Sequence, residues 1–263
     1  MNLHLTALGV RIRIVAVGNH AEELASAARE AWQSCLTREV SEGAIDVLAV
    51  LDSREDFLAQ YRSAGVVAGT RLDEVMDALS PRVTRTAIEA RAGELLMLHA
   101  CAVADPDGRS LVFVGPSGAG KTTVATVLGR EFGYVTDETV GIRDDLSIET
   151  FSKPLSILDG RPGVKSQRSP SSLGLRQAPG RCRVRRIVLL DRGGTSRRDP
   201  FVQPVKTVEG LSLLASETSF LAKIDAPLHR LAAVLSATGG LTRVSYADAR
   251  DLGPLAQDLL DEP

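Results

Sequence analysis

The chain has 263 residues, 44% hydrophobic and 24% charged, a composition typical of a globular protein with one large domain or two small ones. Its formal charge of −2 argues at first against a nucleic-acid or membrane-surface protein. We expect no membrane partner and a cytoplasmic location. No apolar run approaches the roughly 20 residues of a membrane span, no secretory signal is visible, and the three cysteines show no disulfide or zinc spacing.

Residues 1–82 predict a small α/β domain. The expected elements are a strand over 11–17, a helix after Asn19, a strand over 44–51, and helices after Ser53 and Thr70. Asn19 and Glu22, three residues apart, resemble a helix-capping pair at the start of the first helix. Ser80-Pro81 is predicted to end the domain, because proline interrupts helices.

Residues 83–263 predict a second, larger α/β domain. Strands are expected over 84–91, 95–104, 110–114, 184–190 and 243–247, and helices over 122–132, much of 209–238, and 252–261. Residues 160–180 contain few large apolar side chains and predict a long mobile loop.

A glycine-rich motif follows the predicted strand 110–114. It matches G-x4-G-K-[ST], the phosphate-binding P-loop, and its predicted nucleotide-binding residues are Gly115, Pro116, Ser117, Gly118, Ala119, Gly120, Lys121, Thr122 and Thr123. Glycines let successive backbone N–H groups point at one anion at the start of the next helix. Lys121 would then contact the β- and γ-phosphates of ATP, and the Thr122 hydroxyl would bind Mg²⁺.

A phosphate-binding loop needs acidic groups nearby to hold the metal or to activate a nucleophile. Asp137 and Glu138 end the apolar stretch that begins at Tyr134, and a strand end would place them beside the phosphates. His99 lies within an apolar strand-like segment, where a histidine is more often a core residue than a functional one.

These segments together resemble the catalytic domain of HPr kinase/phosphorylase and its relatives. The resemblance covers roughly residues 84–235 and is carried by LHACAVADPDGRSLVFVGPSGAGKTT (98–123), YVTDETVGI (134–142) and FSKPLSI (151–157). It implies a P-loop kinase fold related to phosphoenolpyruvate carboxykinase, with ATP and Mg²⁺ as cofactors and a serine hydroxyl as the acceptor. Relatives of this shorter layout include kinases that phosphorylate precursor peptides of natural products.

The resemblance also implies roles for individual residues. Asp137 matches the family's catalytic carboxylate, Glu138 a second, metal-associated acid, and His99 a histidine near the phosphates. The chain lacks the family's downstream glycine-rich signature, and residues 1–80 do not resemble its regulatory domain, so the resemblance does not extend to HPr itself as acceptor. Substrate recognition or contact within a homo-oligomer is the hypothesis for those first residues.

The near-neutral net charge conceals a basic segment. Residues 160–198 contain eleven basic residues and one acid, so this segment carries +10 and the remainder −12. We expect it to close over ATP or to grip an acidic peptide, with Lys153, Arg161, Lys165 and Arg168 as candidate substrate or phosphate contacts. A plain solvated loop and a nucleic-acid surface are the alternatives, and the absence of aromatic side chains argues against nucleic acid.

The leading functional prediction is an ATP-dependent serine kinase acting on a peptide or small protein, with Asp137, Lys121 and His99 as catalytic residues. Asp137, Glu138 and Thr122 are the predicted metal-binding residues. Two alternatives stay open: a kinase of free serine or another metabolite, and an ATP-binding regulator that transfers nothing.

Overall fold

The computed structural model describes residues 1–37, 43–158, 163–193 and 199–262. The chain folds into two compact units, each built from two stretches of sequence. The first unit comprises Met1–Ala90 and Ser152–Leu173, and the second Arg91–Phe151 and Gly174–Pro263. The chain therefore leaves the second unit once, contributes 22 residues to the first unit, and returns.

Seventeen strands lie within the described residues. They are β1 (Asn2–Ala7), β2 (Val10–Val17), β3 (Ile45–Leu51), β4 (Val67–Gly69), β5 (Leu96–Leu98), β6 (Ala100–Ala104), β7 (Arg109–Val114), β8 (Gly133–Thr136), β9 (Val140–Ile142), β10 (Ser147–Glu149), β11 (Leu155–Leu158), β12 (Lys165–Arg168), β13 (Arg176–Gln177), β14 (Cys182–Arg192), β15 (Phe201–Pro204), β16 (Thr218–Ser219) and β17 (Leu241–Tyr246).

The same described residues form seven α-helices and four short 3-10 helices. The α-helices are α1 (Ala21–Ala31), α2 (Glu55–Ser63), α3 (Leu72–Ala90), α4 (Lys121–Leu128), α5 (Thr207–Ser216), α6 (Pro227–Ala237) and α7 (Leu252–Asp261). No helix in these ranges is long and apolar enough to cross a bilayer.

A four-stranded sheet forms the centre of the first unit, in the order β1-β2-β3-β4. β1 and β2 are antiparallel, whereas β2, β3 and β4 run parallel. In β2, Ile12 and Ile14 are buried while the alternate arginines are not, because side chains of a strand point to opposite faces. The predicted strands 11–17 and 44–51 are thus present, and β1 was not predicted.

The prediction of a domain end at Ser80-Pro81 and a strand over 84–91 was wrong. Both segments belong to α3, which continues through the exposed Pro81 to Ala90. Proline removes one helical hydrogen bond, but Leu79 and Val83 on either side are fully buried. The burial of these apolar side chains, four residues apart on one face of the helix, thus outweighs the lost hydrogen bond. The predicted domain boundary between residues 82 and 83 therefore falls inside this helix.

The predicted capping of α1 by Asn19 was also wrong. No side chain caps this helix, and the Asn19 amide instead donates to the Ser53 hydroxyl at 2.8 Å. Asp52, next to Ser53 in the chain, is fully buried. Its carboxylate accepts hydrogen bonds from the backbone N–H groups of Asn19 and Arg54, each at 2.9 Å. Asp52 also forms a salt bridge with the Arg54 guanidinium at 2.8 Å. These bonds join the loop after β2 to the loop after β3.

Residues 163–173 do not form the predicted mobile loop. They contain β12, which pairs with β11 in an antiparallel hairpin, and a 3-10 helix at Ser171–Leu173. The hairpin packs on α3 of the first unit. Basic residues that were predicted to act as one segment are thus divided between the two units.

An eleven-stranded mixed sheet forms the second unit, in the order β13-β8-β6-β7-β14-β10-β9-β5-β16, with β17 beside β14 and β15 beside β17. β7, β14 and β17 are parallel neighbours, so their carboxyl ends share one edge of the sheet. The second unit is therefore a mixed α/β structure. The predicted strand 95–104 divides at His99 into β5 and β6, and the helical region 209–238 into α5 and α6.

All three cysteines are buried free thiols. None of them lies near enough to histidines, acids or other cysteines, among the described residues, to form a three-ligand metal cluster.

We predict that Asp52→Asn weakens the first unit most at neutral pH. Hydrogen bonds from Arg54 hold the pKa of Asp52 well below its ordinary value, so its contribution is present above pH ~4 and is lost as the pH falls. Thermal denaturation between pH ~2 and ~7 should show a lower Tm at neutral pH and a flatter acid profile. The control Asp56→Asn removes an exposed carboxylate; an equal effect of both variants would contradict the assignment.

Candidate functional site

The glycine motif forms a loop between the buried strand β7 and the helix α4. Gly118 and Gly120 have φ angles of +84° and +93°, a conformation that residues with a side chain rarely adopt. Gly120 directly precedes α4, so the loop runs into the N-terminus of this helix. The positive end of the helix dipole and its free N–H groups favour an anion there.

Tyr246, at the end of β17, supports this loop. Its buried hydroxyl donates to the Ala119 carbonyl at 2.7 Å, and a Cβ on Gly120 would lie 2.7 Å from the same hydroxyl oxygen. Gly120 is therefore required both by its backbone angle and by this close approach. Sequence reasoning missed Tyr246; the available signal was a tyrosine at the end of the last predicted strand.

Lys121 folds back over the loop. Its Nζ donates to the Gly115 carbonyl at 2.5 Å and to the Pro116 carbonyl at 3.3 Å. Burial lowers the pKa of this lysine, and the negative charge of Glu217 partly opposes that shift. The ammonium is thus held at the loop and screened from water before any anion binds.

The predicted acids directly follow β8, the strand two positions away from β7 in the sheet. β6 runs between β7 and β8, pairing Ala100 with Val114 on one side and Ala102 with Thr136 on the other. The Ala100 N–H also donates to the Glu138 carbonyl at 3.1 Å. Neighbouring strands are ~4.8 Å apart, so the start of the glycine loop and the acidic pair are separated by ~10 Å at the backbone.

Asp137 is 6% exposed, and its carboxylate accepts a hydrogen bond from the Tyr134 hydroxyl at 3.1 Å. Glu138 is half-buried. The thiol of Cys101, on β6, is influenced by both sides of the site: burial raises its pKa, the Asp137 charge raises it further, and the Lys121 charge lowers it. The positive charge of Lys121 and the negative charge of Asp137 thus both act on this one buried thiol.

His99 forms the exposed turn between β5 and β6. Its backbone N–H donates to the Glu217 carbonyl at 2.7 Å, which holds the turn against the end of α5. His99 is therefore not the core residue that its apolar surroundings favoured. Glu217 was not among the predicted site residues, although its segment belongs to the stretch that carries the family resemblance.

The oxygen groups of Thr122, Asp137 and Glu138 are of the kind that Mg²⁺ prefers. No three histidines, cysteines or acids within the described ranges form a metal cluster. This donor set fits an ion that keeps several waters and takes further ligands from phosphate groups. It does not fit a metal enclosed entirely by protein.

A cavity of 240 Å³ adjoins the glycine loop at the carboxyl ends of β14 and β17. Its lining residues are Thr123, Val127, Arg192, Tyr246, Ala247, Asp248, Ala249 and Arg250. Aliphatic side chains form part of the cavity wall, and the side chains of Arg192 and Arg250 also line it. Asp248 and Arg250 pair with each other, which lowers the pKa of Asp248 to about 2.

Arg192 has no such partner among the described residues. It is exposed at the end of β14, where its Cδ lies 3.6 Å from the position that a Cβ on Gly120 would occupy. Burial raises the pKa of Tyr246, and the Arg192 charge opposes that rise. The same charge adds to the effect of Arg250 in lowering the pKa of Asp248. From the sequence, Arg192 was predicted only as one member of the basic segment 160–198.

The remaining predicted contacts belong to the first unit. Lys153 is 2% exposed. Burial raises the pKa of the Cys35 thiol to about 12, and the nearby Lys153 charge opposes that rise. Lys165 and Arg168 are exposed on β12. Arg161 lies outside the described residues.

Comparisons with known proteins find neither a matching family model nor a matching curated protein. Among solved structures, the chain is similar to the Hpr(Ser) kinase/phosphatase from Coxiella burnetii, with 13% sequence identity and a TM-score of 0.35. The similarity covers 62% of this chain and 93% of that one. A similarity at this level carries no argument about activity.

We predict that Gly120→Ala damages the loop more than Gly118→Ala does. Both glycines have positive φ, which costs an alanine ~1–2 kcal/mol, but only at Gly120 does a Cβ meet another atom within 3 Å. Gly118→Ala therefore isolates the cost of the backbone angle. Thermal denaturation and ATP titration should both rank the two variants in this order.

Tyr246→Phe removes the hydroxyl in question and its hydrogen bond, worth ~1 kcal/mol. In the double variant with Gly120→Ala, part of the stability and ATP affinity lost in Gly120→Ala should be recovered, because the alanine Cβ no longer meets the tyrosine hydroxyl. If the losses of stability and ATP affinity in the double variant equal the sum of the losses in the two single variants, the close contact between position 120 and the Tyr246 hydroxyl is contradicted.

Proposed function

We propose that the protein is an ATP-dependent phosphotransferase that moves the γ-phosphoryl group to a hydroxyl of a peptide or small protein, with serine as the acceptor residue. The observation that carries this proposal is that Lys121 and Asp137 follow the two strands that flank β6, Lys121 at the start of α4 after β7 and Asp137 directly after β8. A cation at an anion-binding loop and a buried carboxylate on the other side of β6 are two parts that such a transfer requires.

The phosphates would occupy the start of α4. The loop N–H groups and Lys121 supply positive charge there, and Lys121 would exchange its two carbonyl acceptors for phosphate oxygens. This exchange favours ATP, because carbonyl oxygens carry only partial negative charge whereas phosphate oxygens form charge-assisted bonds.

Asp137 would accept the proton of the acceptor hydroxyl. The Tyr134 hydroxyl donates to one oxygen of this carboxylate, which helps to fix its orientation. His99, exposed on the adjoining turn, would contact the transferred group or the acceptor. Positioned general bases contribute typically 10²–10⁴-fold to a rate.

Mg²⁺ would be held by Thr122 with Asp137 or Glu138, and it would supply charge neutralisation on the phosphates. The nucleoside of ATP would lie in the 240 Å³ cavity beside the loop. There, the planar guanidinium of Arg192 can stack on a base or reach a phosphate.

We predict that Lys121→Ala and Asp137→Asn separate binding from transfer. Lys121→Ala should weaken ATP binding about tenfold or more, whereas Asp137→Asn should leave ATP binding intact and lower turnover by ~10²-fold or more. Isothermal titration measures the binding. Mass spectrometry of serine-containing peptides incubated with Mg-ATP measures the transfer.

Glu131→Gln is the control for the carboxylate, since Glu131 lies just before β8, at the opposite end from Asp137. Turnover unchanged in Asp137→Asn would contradict the proposed base. ADP release with free serine or another metabolite, but with no peptide, would favour a small-molecule kinase. Tight ATP binding without turnover on any acceptor would favour a regulator.

We predict that Arg192→Ala distinguishes base contact from phosphate contact. If Arg192 stacks on the base, ATP affinity should fall about three- to tenfold while tripolyphosphate affinity is unchanged. Equal losses for both ligands would assign Arg192 to the phosphates. Unchanged affinity for both would remove Arg192 from the site.

A further inference from the structure

Glu217 is an acid at the candidate site to which the transfer described above gives no role. It directly follows α5 and precedes β16. Its side chain is half-buried, and within the described ranges no N–H or O–H group donates to its carboxylate and no cation forms a salt bridge with it. Partial removal of a carboxylate from water without a partner costs free energy, so a ligand that brings a positive charge is favoured there.

Backbone hydrogen bonds place Glu217 at the same edge of the sheet as the glycine loop and the acidic pair. The His99 N–H donates to the Glu217 carbonyl at 2.7 Å, and the next N–H, of Ala100, donates to the Glu138 carbonyl at 3.1 Å. Ala100 also pairs with Val114, the last residue before the glycine loop. Two consecutive residues of one turn thus hold the end of α5, the acidic pair and the start of the loop together.

The charge of Glu217 acts on Lys121. Burial lowers the pKa of this lysine, and the negative charge of Glu217 opposes that shift. The ammonium donates to the Gly115 and Pro116 carbonyls and forms no salt bridge with Glu217. The carboxylate is therefore near the phosphate-binding lysine without being its direct partner, and it can bind another cation.

The other described cations near β5 lie at the far end of that strand from His99. The Lys223 carbonyl lies 2.9 Å from the position that a Cβ on Gly93 would occupy, before the start of β5. The Lys223 ammonium stands 5.0 Å from the centre of the Phe220 ring. Two arginines near the same end already have acidic partners, Arg91 with Glu94 and Arg230 with Asp144.

Bound nucleotide would leave the carboxylate of Glu217 without a counter-ion. Mg-ATP is a net anion, and Lys121 would pair with its phosphates. Asp137 and Glu138 are assigned to the acceptor proton and to Mg²⁺, and Arg192 ends β14, on the other side of β7 from β6. An acceptor would therefore meet excess negative charge beside Glu217, which attracts a cationic group and repels an acidic one.

We propose that Glu217 determines acceptor specificity by binding a lysine or arginine that adjoins the serine to be phosphorylated. Its carboxylate forms a charge-assisted hydrogen bond with that cation, and the neighbouring serine hydroxyl is thereby directed to Asp137. This inference rests on the proposed function, because it requires a hydroxyl acceptor at Asp137. The acceptor segment is accordingly basic, unlike the acidic peptide expected from the basic segment 160–198.

Peptides that differ only in charge test this assignment. The peptide Gly-Ala-Lys-Ser-Lys-Ala-Gly is compared with a version that has norleucine in place of both lysines, which keeps the aliphatic chain and removes the charge. A third version has glutamate at both positions. Mass spectrometry with Mg-ATP gives kcat and KM for each peptide. We expect kcat/KM about tenfold or more higher for the lysine peptide than for the norleucine peptide, with the difference in KM, and the lowest value for the glutamate peptide.

Variants of the chain test whether Glu217 causes the preference. Glu217→Gln should reduce the ratio of kcat/KM between the lysine and norleucine peptides to about one. Glu217→Lys should favour the glutamate peptide over the lysine peptide, a reversal that a merely structural role would not produce. Glu209→Gln, in the first turn of α5, removes a carboxylate that pairs with Arg243, and it should keep the lysine preference. Thermal denaturation establishes that the three variants fold.

Binding separates this inference from the proposed function. Fluorescein-labelled lysine and norleucine peptides are titrated with the full chain, Mg²⁺ and a non-hydrolysable ATP analogue, and followed by fluorescence anisotropy. A lysine preference that requires Glu217, without any phosphate transfer, would support this inference and contradict the proposed transfer alone. Transfer at equal kcat/KM to both peptides, or a lysine preference that Glu217→Gln retains, would overturn this inference alone.

Two further outcomes would also overturn it. If Glu217→Gln weakens binding of the ATP analogue and raises the Mg²⁺ concentration that this binding requires, Glu217 is a metal ligand instead. If neither peptide binds below about 1 mM and neither is phosphorylated, both this inference and peptide phosphorylation are contradicted.

Discussion

The pairing of β6 between β7 and β8 is the constraint on which the candidate site depends. Both interfaces are antiparallel, so the end of β7 and the end of β8 lie at the same edge of the sheet as the start of β6. Lys121 follows the first of these ends and Asp137 the second. Two strand spacings therefore set the distance between the ends of β7 and β8, to which the glycine loop and the acidic pair are attached.

The later half of the chain supports the loop that the earlier half supplies. β14 and β17 extend the parallel part of the sheet beyond β7, and they bring Arg192 and Tyr246 to the glycine loop. The tyrosine hydroxyl binds a loop carbonyl directly. A loop with two positive-φ glycines has high conformational entropy when free, so this contact helps to keep its N–H groups directed at one point.

Much of the local structure was predictable because hydrophobic periodicity is a local property. The strand–loop–helix around the glycine motif, β14 and α7 all follow from it. The failures have tertiary causes. Pro81 lies inside a helix because both flanking turns are buried, and Asn19 does not cap its helix because it bonds to Ser53, far along the chain.

The sequence by itself determined the chemistry available at the site: a glycine loop with its lysine, and an acidic pair after a buried strand. Only the tertiary structure decided which distant residues join them, since β17 brings Tyr246 to the glycine loop, 127 positions from Ala119 in the chain. It also divided the basic segment that the net charge concealed. Lys165 and Arg168 went to the first unit and Arg192 to the second, because the hairpin of β11 and β12 packs on α3 whereas β14 completes the parallel sheet.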